Sequence, residues 1–316
     1  MKKYLIGAGG WAYFRVPGVH PLRAYSMAFD FVEVNSTYYR IPDLELVRSW
    51  RRIVPEEFEF SVRCHRSVPS KLRTGPNELV FRRFEKIIEI CRILGTDLLH
   101  VLFQRDNKPT RELADTLRNF LSSVDAKGIR LILEFRGQAA KFDREFLKLM
   151  EDWNMVHCVD LSKGETPAFQ TDVLYSRLFG KGEHNIYQPT DEELKEIDKL
   201  ASEGDHDKVM LCFHFVKMYK DAIRFKIYKQ TGSFPMVTSS TGLDSLAEIL
   251  KEDARFPASK GQLQSSQGWK LIDLTRDKRI RASELLRLLP EKRYGCVEEV
   301  INELQKRLKG KNSVLF

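Results

Sequence analysis

Eight short apolar segments, all but the first carrying polar or charged residues at or just past their ends, constrain this chain more than any other feature. They fall at residues 4–7, 31–34, 58–64, 98–103, 129–136, 155–160, 173–179 and 209–215. Each has the length of a strand and is rich in β-branched, aromatic and leucine side chains. Most are separated by stretches of helical period, at 21–27, 42–53, 79–94, 110–121, 142–153 and 191–201, with another at 219–228 behind the last. Strands alternating with helices imply a parallel sheet, because parallel neighbours need a long crossover. Eight of them in ~230 residues fit a closed barrel better than an open sheet. The expected fold class is α/β, with an eight-stranded parallel TIM-type (β/α) barrel over residues 1–231.

The polar residues of these segments gather at one end. Glu33, Arg63, Gln104, Glu134, Arg136, Asp160, Arg177 and His214 all lie in or just past the C-terminal halves of their strands. That end of a (β/α)8 barrel is where its chemistry is placed. The second segment is the clearest case. Glu33 stands among Phe31, Val32 and Val34, and Asn35, Ser36, Thr37, Tyr38, Tyr39 and Arg40 follow. A carboxylate in an apolar strand is costly unless it is paired or functional. The polar run after it suits a site-bearing loop.

Near residue 232 the pattern changes. Thr231-Gly-Ser-Phe-Pro reads as a linker, followed by helical stretches at 242–250, 282–289 and 297–308. Residues 232–316 are therefore expected to form a small, mainly helical second domain. Residues 246–316 hold 15 Lys/Arg against 10 Asp/Glu, so +5 of the formal net charge of +8 lies there and +3 in the rest. The basic surplus thus says little about the barrel's ligand. It permits nucleic acid or another acidic partner without requiring one. The last helix, with Lys306, Arg307, Lys309 and Lys311, reads more simply as a solvated face. The 30% charged content, rich in Lys, Arg and Glu, resembles that of heat-adapted proteins.

Composition also narrows the cofactor classes. Cys64, Cys91, Cys158, Cys212 and Cys296 are scattered, without CxxC or zinc-knuckle spacing, so no structural zinc is expected. The glycines at 7, 9 and 10 do not make a GxGxxG, which leaves no nucleotide cofactor motif. No apolar run reaches membrane-spanning length and the start leads straight into a strand, so the expectation is a cytoplasmic protein without a membrane partner.

Several blocks resemble the signature of the domain-of-unknown-function 72 family. They are Gly7-Ala-Gly-Gly-Trp11, Val32-Glu-Val-Asn-Ser-Thr-Tyr-Tyr-Arg40, Phe58-Glu-Phe-Ser-Val-Arg63, Glu134-Phe-Arg136 and Tyr175-Ser-Arg-Leu-Phe-Gly180, in the family's order. The resemblance spans residues 1–228 and implies a TIM-type barrel, with no settled activity. Two positions depart from the pattern it implies: Arg63 stands where Lys is more common, and His214 where Asn often follows the last strand. The tail, through Phe256-Pro-Ala-Ser-Lys260, residues 282–290 and 294–300, is similar to the domain-of-unknown-function 2795 module.

Four sets of residues carry the candidate chemistry. Arg40, Arg63, Arg136 and Arg177 could converge on a phosphate or carboxylate, or could be neutralised by Glu33 and Glu134. Glu33, Glu134 and Asp160 are the candidate catalytic carboxylates, as a base or as a glycosidase-like pair. A divalent metal could draw on His65, His214, Glu33, Glu134 and Asp160, although no HxH or HExxH is present. His100 and His157, in mid-strand, read as satisfied core residues. Trp11 and Tyr38, with Asn35, Thr37, Gln104 and Arg40 nearby, could stack on and bind a sugar or base, or simply line an apolar pocket. Together these favour a hydrolase acting on a phosphorylated or otherwise anionic substrate. The alternatives are a non-catalytic anion-binding or adaptor module, whose tail binds a protein partner, and a carbohydrate-active enzyme.

Overall fold

A computed structural model describes residues 2–72, 75–137 and 141–309, so Lys311 lies outside the described residues. Eight parallel strands pair in chain order and close: β1 (Lys3–Ala8), β2 (Phe31–Val34), β3 (Glu59–Arg63), β4 (Leu98–Phe103), β5 (Arg130–Phe135), β6 (Val156–Val159), β7 (Val173–Leu178) and β8 (Lys208–Phe213). Closure is made by β8 against β1, in register from Lys3 opposite Lys208 to Ala8 opposite Phe213. This is the expected TIM-type barrel.

The helices are α1 (Pro21–Ala28), α2 (Leu44–Ile53), α3 (Ser67–Leu72), α4 (Glu78–Leu94), α5 (Arg111–Ser122), α6 (Arg144–Asp152), α7 (Asp191–Ser202) and α8 (Met218–Thr231). Their starts follow from local chemistry. Asp43, Asn77, Thr110 and Asp143 each accept a hydrogen bond from a backbone N–H of the first turn. Gly95 stops α4 in the left-handed conformation, φ 69°. The short helix α3 is unmarked by periodicity, because Ser67-Val-Pro-Ser is too short to show a stripe.

By compactness the chain forms two units, residues 1–179 with 197–214, and residues 180–196 with 215–316. The second contains α9 (Gly242–Asp253), α10 (Lys260–Gln267), α11 (Ala282–Leu286) and α12 (Val297–Lys309). It is not helical alone. Strand β9 (Ala258–Ser259) pairs with β12 (Arg293–Tyr294), and β10 (Leu271–Asp273) with β11 (Arg279–Arg281), both antiparallel. Leu246, Ile249, Leu263, Leu285 and Tyr294 are among the buried side chains of its own core. No described helix is long and apolar enough to cross a membrane.

Candidate active site

Alternation along each strand decides which side chains enter the barrel. Leu5, Phe31, Leu98, Ile132, Val156, Cys158, Val173, Tyr175, Met210 and Cys212 form one buried apolar cluster. Two residues further along their strands stand Glu33, His100, Glu134, Asp160, Arg177 and His214. The interior thus changes from apolar to ionic within one step of the strand period, at the C-terminal end.

Arg177 is the centre of this ionic layer. Its Nη2 donates to Glu33 Oε1 at 3.0 Å, its Nε lies 3.0 Å from Glu33 Oε2, and its Nη1 donates to Glu134 Oε2. Tyr175 donates its hydroxyl to Glu33 Oε2 at 3.0 Å and is 2.7 Å from Ser61 Oγ. His100 Nε2 lies 2.9 Å from Glu134 Oε2. His214 Nε2 lies 3.4 Å from Glu33 Oε1 and 3.3 Å from Cys212 Sγ. Glu33 is wholly buried, whereas the Glu134 side chain keeps 12% exposure and its Oε1 faces Arg136 Nε, 3.8 Å away.

The electrostatics follow from this packing. Burial by itself would raise both carboxyls, but the Arg177 guanidinium and the neighbouring histidines outweigh it and hold both well below the usual carboxylate range. Burial likewise works against the charge on Arg177, yet the two glutamates hold its pKa well above the ordinary value. Burial depresses both histidines, His214 to about 4, so they are neutral at neutral pH. Under those conditions Arg177 is what keeps Glu33 ionised.

Arg63 differs. It is 5% exposed, and its Nη1 donates to Asn35 Oδ1 at 2.7 Å while its guanidinium lies 4.2 Å from the Tyr38 ring centre. Its Nε is buried without a hydrogen-bond partner, and no carboxylate among the described residues is ion-paired with it. Burial, then the charge of Arg177, lowers its pKa. Arg63 is a buried cation held by neutral groups.

The remaining expected residues are held by other contacts. Asn35 also donates to the Gly9 carbonyl at 2.7 Å, and Gln104 donates to Tyr38 Oη at 3.0 Å. Thr37 is buried, its hydroxyl within hydrogen-bond distance of the Val34 and Arg63 carbonyls, so it fixes the loop. Trp11 packs edge-on against Trp50, ring centres 5.2 Å apart. Arg40, Gln104 and Arg136 are exposed. Asp160 accepts from the backbone N–H groups of Ser162 and Phe179 and pairs with Lys163 at 3.1 Å, which ties down its own turn. Its carboxyl is raised by burial.

His100, expected as a core residue, is buried and hydrogen-bonded, and its partner Glu134 brings it into the ionic layer. The signal was its spacing of two from Leu98. Tyr175, Ser61, Cys212 and Gly9 were also missed as site residues, since none is charged. His65 sits apart, its Nδ1 2.8 Å from Ser67 Oγ. The metal-ligating groups that converge among the described residues are Glu33, Cys212 and His214, and His100, Glu134 and Cys158. Neither includes His65 or Asp160.

The family model described as "Protein of unknown function DUF72" matches residues 5–225, and the chain belongs to that family. No curated protein matches it. Among solved structures, a DUF72 family protein from Enterococcus faecalis V583 superposes with a TM-score of 0.59 at 17% identity, covering 73% of this chain and 98% of that one. Another, from Thermotoga maritima MSB8, gives 0.56 at 19% identity, covering 72% and 99%. These likenesses establish the fold.

Proposed function

We propose that the chain is a hydrolase whose substrate is phosphorylated or otherwise anionic, a nucleic acid or a sugar phosphate, bound at the C-terminal end of the barrel. The observation that carries this is Arg63, a buried guanidinium without a carboxylate partner, beside carboxylates that are held ionised. A buried cation of this kind is costly unless a counter-ion completes it. A phosphoryl group bound to the guanidinium would do so. Glu134 is the base on this reading, because its side chain keeps 12% exposure and its Oε1 faces Arg136 Nε only at 3.8 Å. Glu33, with both oxygens engaged, is a positioning residue. Charge stabilisation and positioning supply most of the catalysis in phosphoryl chemistry. A glycosidase pair is less supported, since Glu33 and Glu134 are both depressed and neither holds the proton an acid must give.

Inorganic phosphate or sulfate should raise the melting temperature of the full chain, and the Arg63→Met variant should lose that shift. Glu134→Gln should abolish turnover of nitrophenyl phosphomonoesters or phosphodiesters while keeping the anion shift. Equal loss of both in Glu134→Gln, or no turnover by the native chain, would favour the binding-module reading. Glu33→Gln is unsuited to this purpose, because it disrupts the buried pair with Arg177.

A further inference from the structure

We propose that Glu33, Cys212 and His214 form a binding site for one borderline divalent cation of the zinc or cobalt class. Glu33 comes from β2, while Cys212 and His214 come from the end of β8, spaced by two so that both enter the barrel. One donor atom from each lies within 4.8 Å of the others. Zinc bound by carboxylate, imidazole and thiolate lies about 2.0–2.3 Å from each donor, so donors this close would have to shift little to close on one ion.

Two features of this group bear on a cation. First, His214 Nε2 faces both other donors, 3.3 Å from the Cys212 sulfur and 3.4 Å from Glu33 Oε1, so one cation could take the place of both contacts. In the other convergent group, His100 Nε2 and Glu134 Oε2 are 2.9 Å apart, a well-made hydrogen bond. Second, the chain between β8 and β2 carries glycine at this level. Strand β1 pairs with both, Gly7 lying opposite Phe31 on one side and Cys212 on the other. Gly9 follows, where a Cβ would fall 2.2 Å from His214 Cε1, 2.4 Å from Nδ1 and 2.7 Å from Asn35 Nδ2. The His214 ring is fixed from another side by Phe179, stacked at 4.7 Å. Any side chain at Gly9 would push the imidazole out of place.

Glu33 and Glu134 balance Arg63 and Arg177, and the histidines are neutral. Binding a divalent ion with release of the Cys212 thiol proton to solvent leaves the layer with a single positive charge, suited to an anion. Arg177 shares Glu33 Oε1 but uses one of its lone pairs, so it can remain as an outer partner. The inference uses the same end of the barrel as the proposed hydrolase, but metal binding is read without a substrate, so the two can fail separately.

The test is titration of the metal-stripped full chain with Co2+, and with Zn2+ in competition. The expected result is one equivalent bound, a thiolate-to-cobalt charge-transfer band in the near ultraviolet, and release of a proton. Cys212→Ser should abolish the band, and His214→Asn should weaken binding by at least about tenfold, the loss expected even for an outer-shell partner. Gly9→Ala should weaken it too. Cys158→Ser and Cys296→Ser should keep the band. Should Cys212→Ser fold poorly, His214→Asn and Gly9→Ala decide the matter by affinity. Absence of stoichiometric binding by the native chain, or a band that survives in Cys212→Ser, would overturn the proposal.

Discussion

The barrel and the second unit each bury an ionic network, and the two are built differently. In the second unit, Arg224 pairs with Asp221 at 3.0 Å and Asp191 at 2.6 Å, and Arg279 with Asp191 at 2.6 Å and Asp273 at 3.1 Å. Asp273 also accepts from the backbone N–H groups of Val237 and Thr238 and from the Thr238 hydroxyl. Gln188 joins Asp221 to the N–H of Leu271. These charges hold backbone segments to one another. The barrel's layer contacts little backbone, and its side chains chiefly hold each other. Buried guanidinium Nε atoms without a hydrogen-bond partner occur in both networks, at Arg63 and at Arg224 and Arg279, but Arg224 and Arg279 are ion-paired to carboxylates, whereas among the described residues Arg63 has no such pair. That difference is what the proposed anion site rests on.

Arg177→Met should give the largest effect. It leaves two buried carboxylates without their cation and should cost about 3–5 kcal/mol, the usual penalty for breaking a buried pair. Denaturant melts would measure it, and a loss below 1 kcal/mol would remove the premise that Arg177 organises the layer. In the second unit, Arg279→Met should be comparably destabilising, on the order of 3 kcal/mol, yet leave phosphate affinity unchanged. A parallel loss of anion binding would erase the distinction between the two networks.

Arg63→Met is the sharpest contrast. Removing a buried cation that has no carboxylate partner should leave unliganded stability within about 1 kcal/mol of native, or raise it. Anion affinity should nevertheless fall at least tenfold, by roughly the 1.4 kcal/mol or more that one charge-assisted contact supplies. Strong destabilisation without loss of anion binding would make Arg63 a structural residue.

The smallest effect is in the pH dependence. Burial raises Asp221 to about 6, so the folded state binds its proton more tightly than the unfolded chain. Its contribution therefore grows as pH falls through about 6 and is lost as pH rises through that value. Asp221→Asn should flatten this part of the stability profile. Glu33 and Glu134 are shifted the opposite way, so their contribution persists above the unfolded carboxylate pKa and is lost only as the pH falls through their depressed folded values. Chemical melts across an acid series should resolve the two slopes, and a single monotonic loss in native and Asp221→Asn chains alike would contradict the assignment.

Much of this molecule is legible in its sequence. Strand β4 falls at the expected residues 98–103, and β2 at 31–34. An apolar run bounded by charge needs only its own side chains to define a strand. Glu33 was conspicuous for the same reason, as a carboxylate where burial is costly. The tail was harder. Its strands are two or three residues long, and Lys260–Gln267 lacks an apolar stripe, so pairing partners rather than local pattern define these elements.

The sequence by itself determined the eightfold strand–helix alternation, the barrel, the family and the end at which charge would collect, because strand length, helical period and polar strand ends are local properties. Only the tertiary structure decided which charges meet. It joined Arg177 to both glutamates, brought His100 into the layer, left Arg63 among neutral partners, and set Gly9 so close to the His214 ring that no side chain fits there. Those outcomes depend on register and closure, which set the distance between strands far apart in the chain. No single segment encodes that distance.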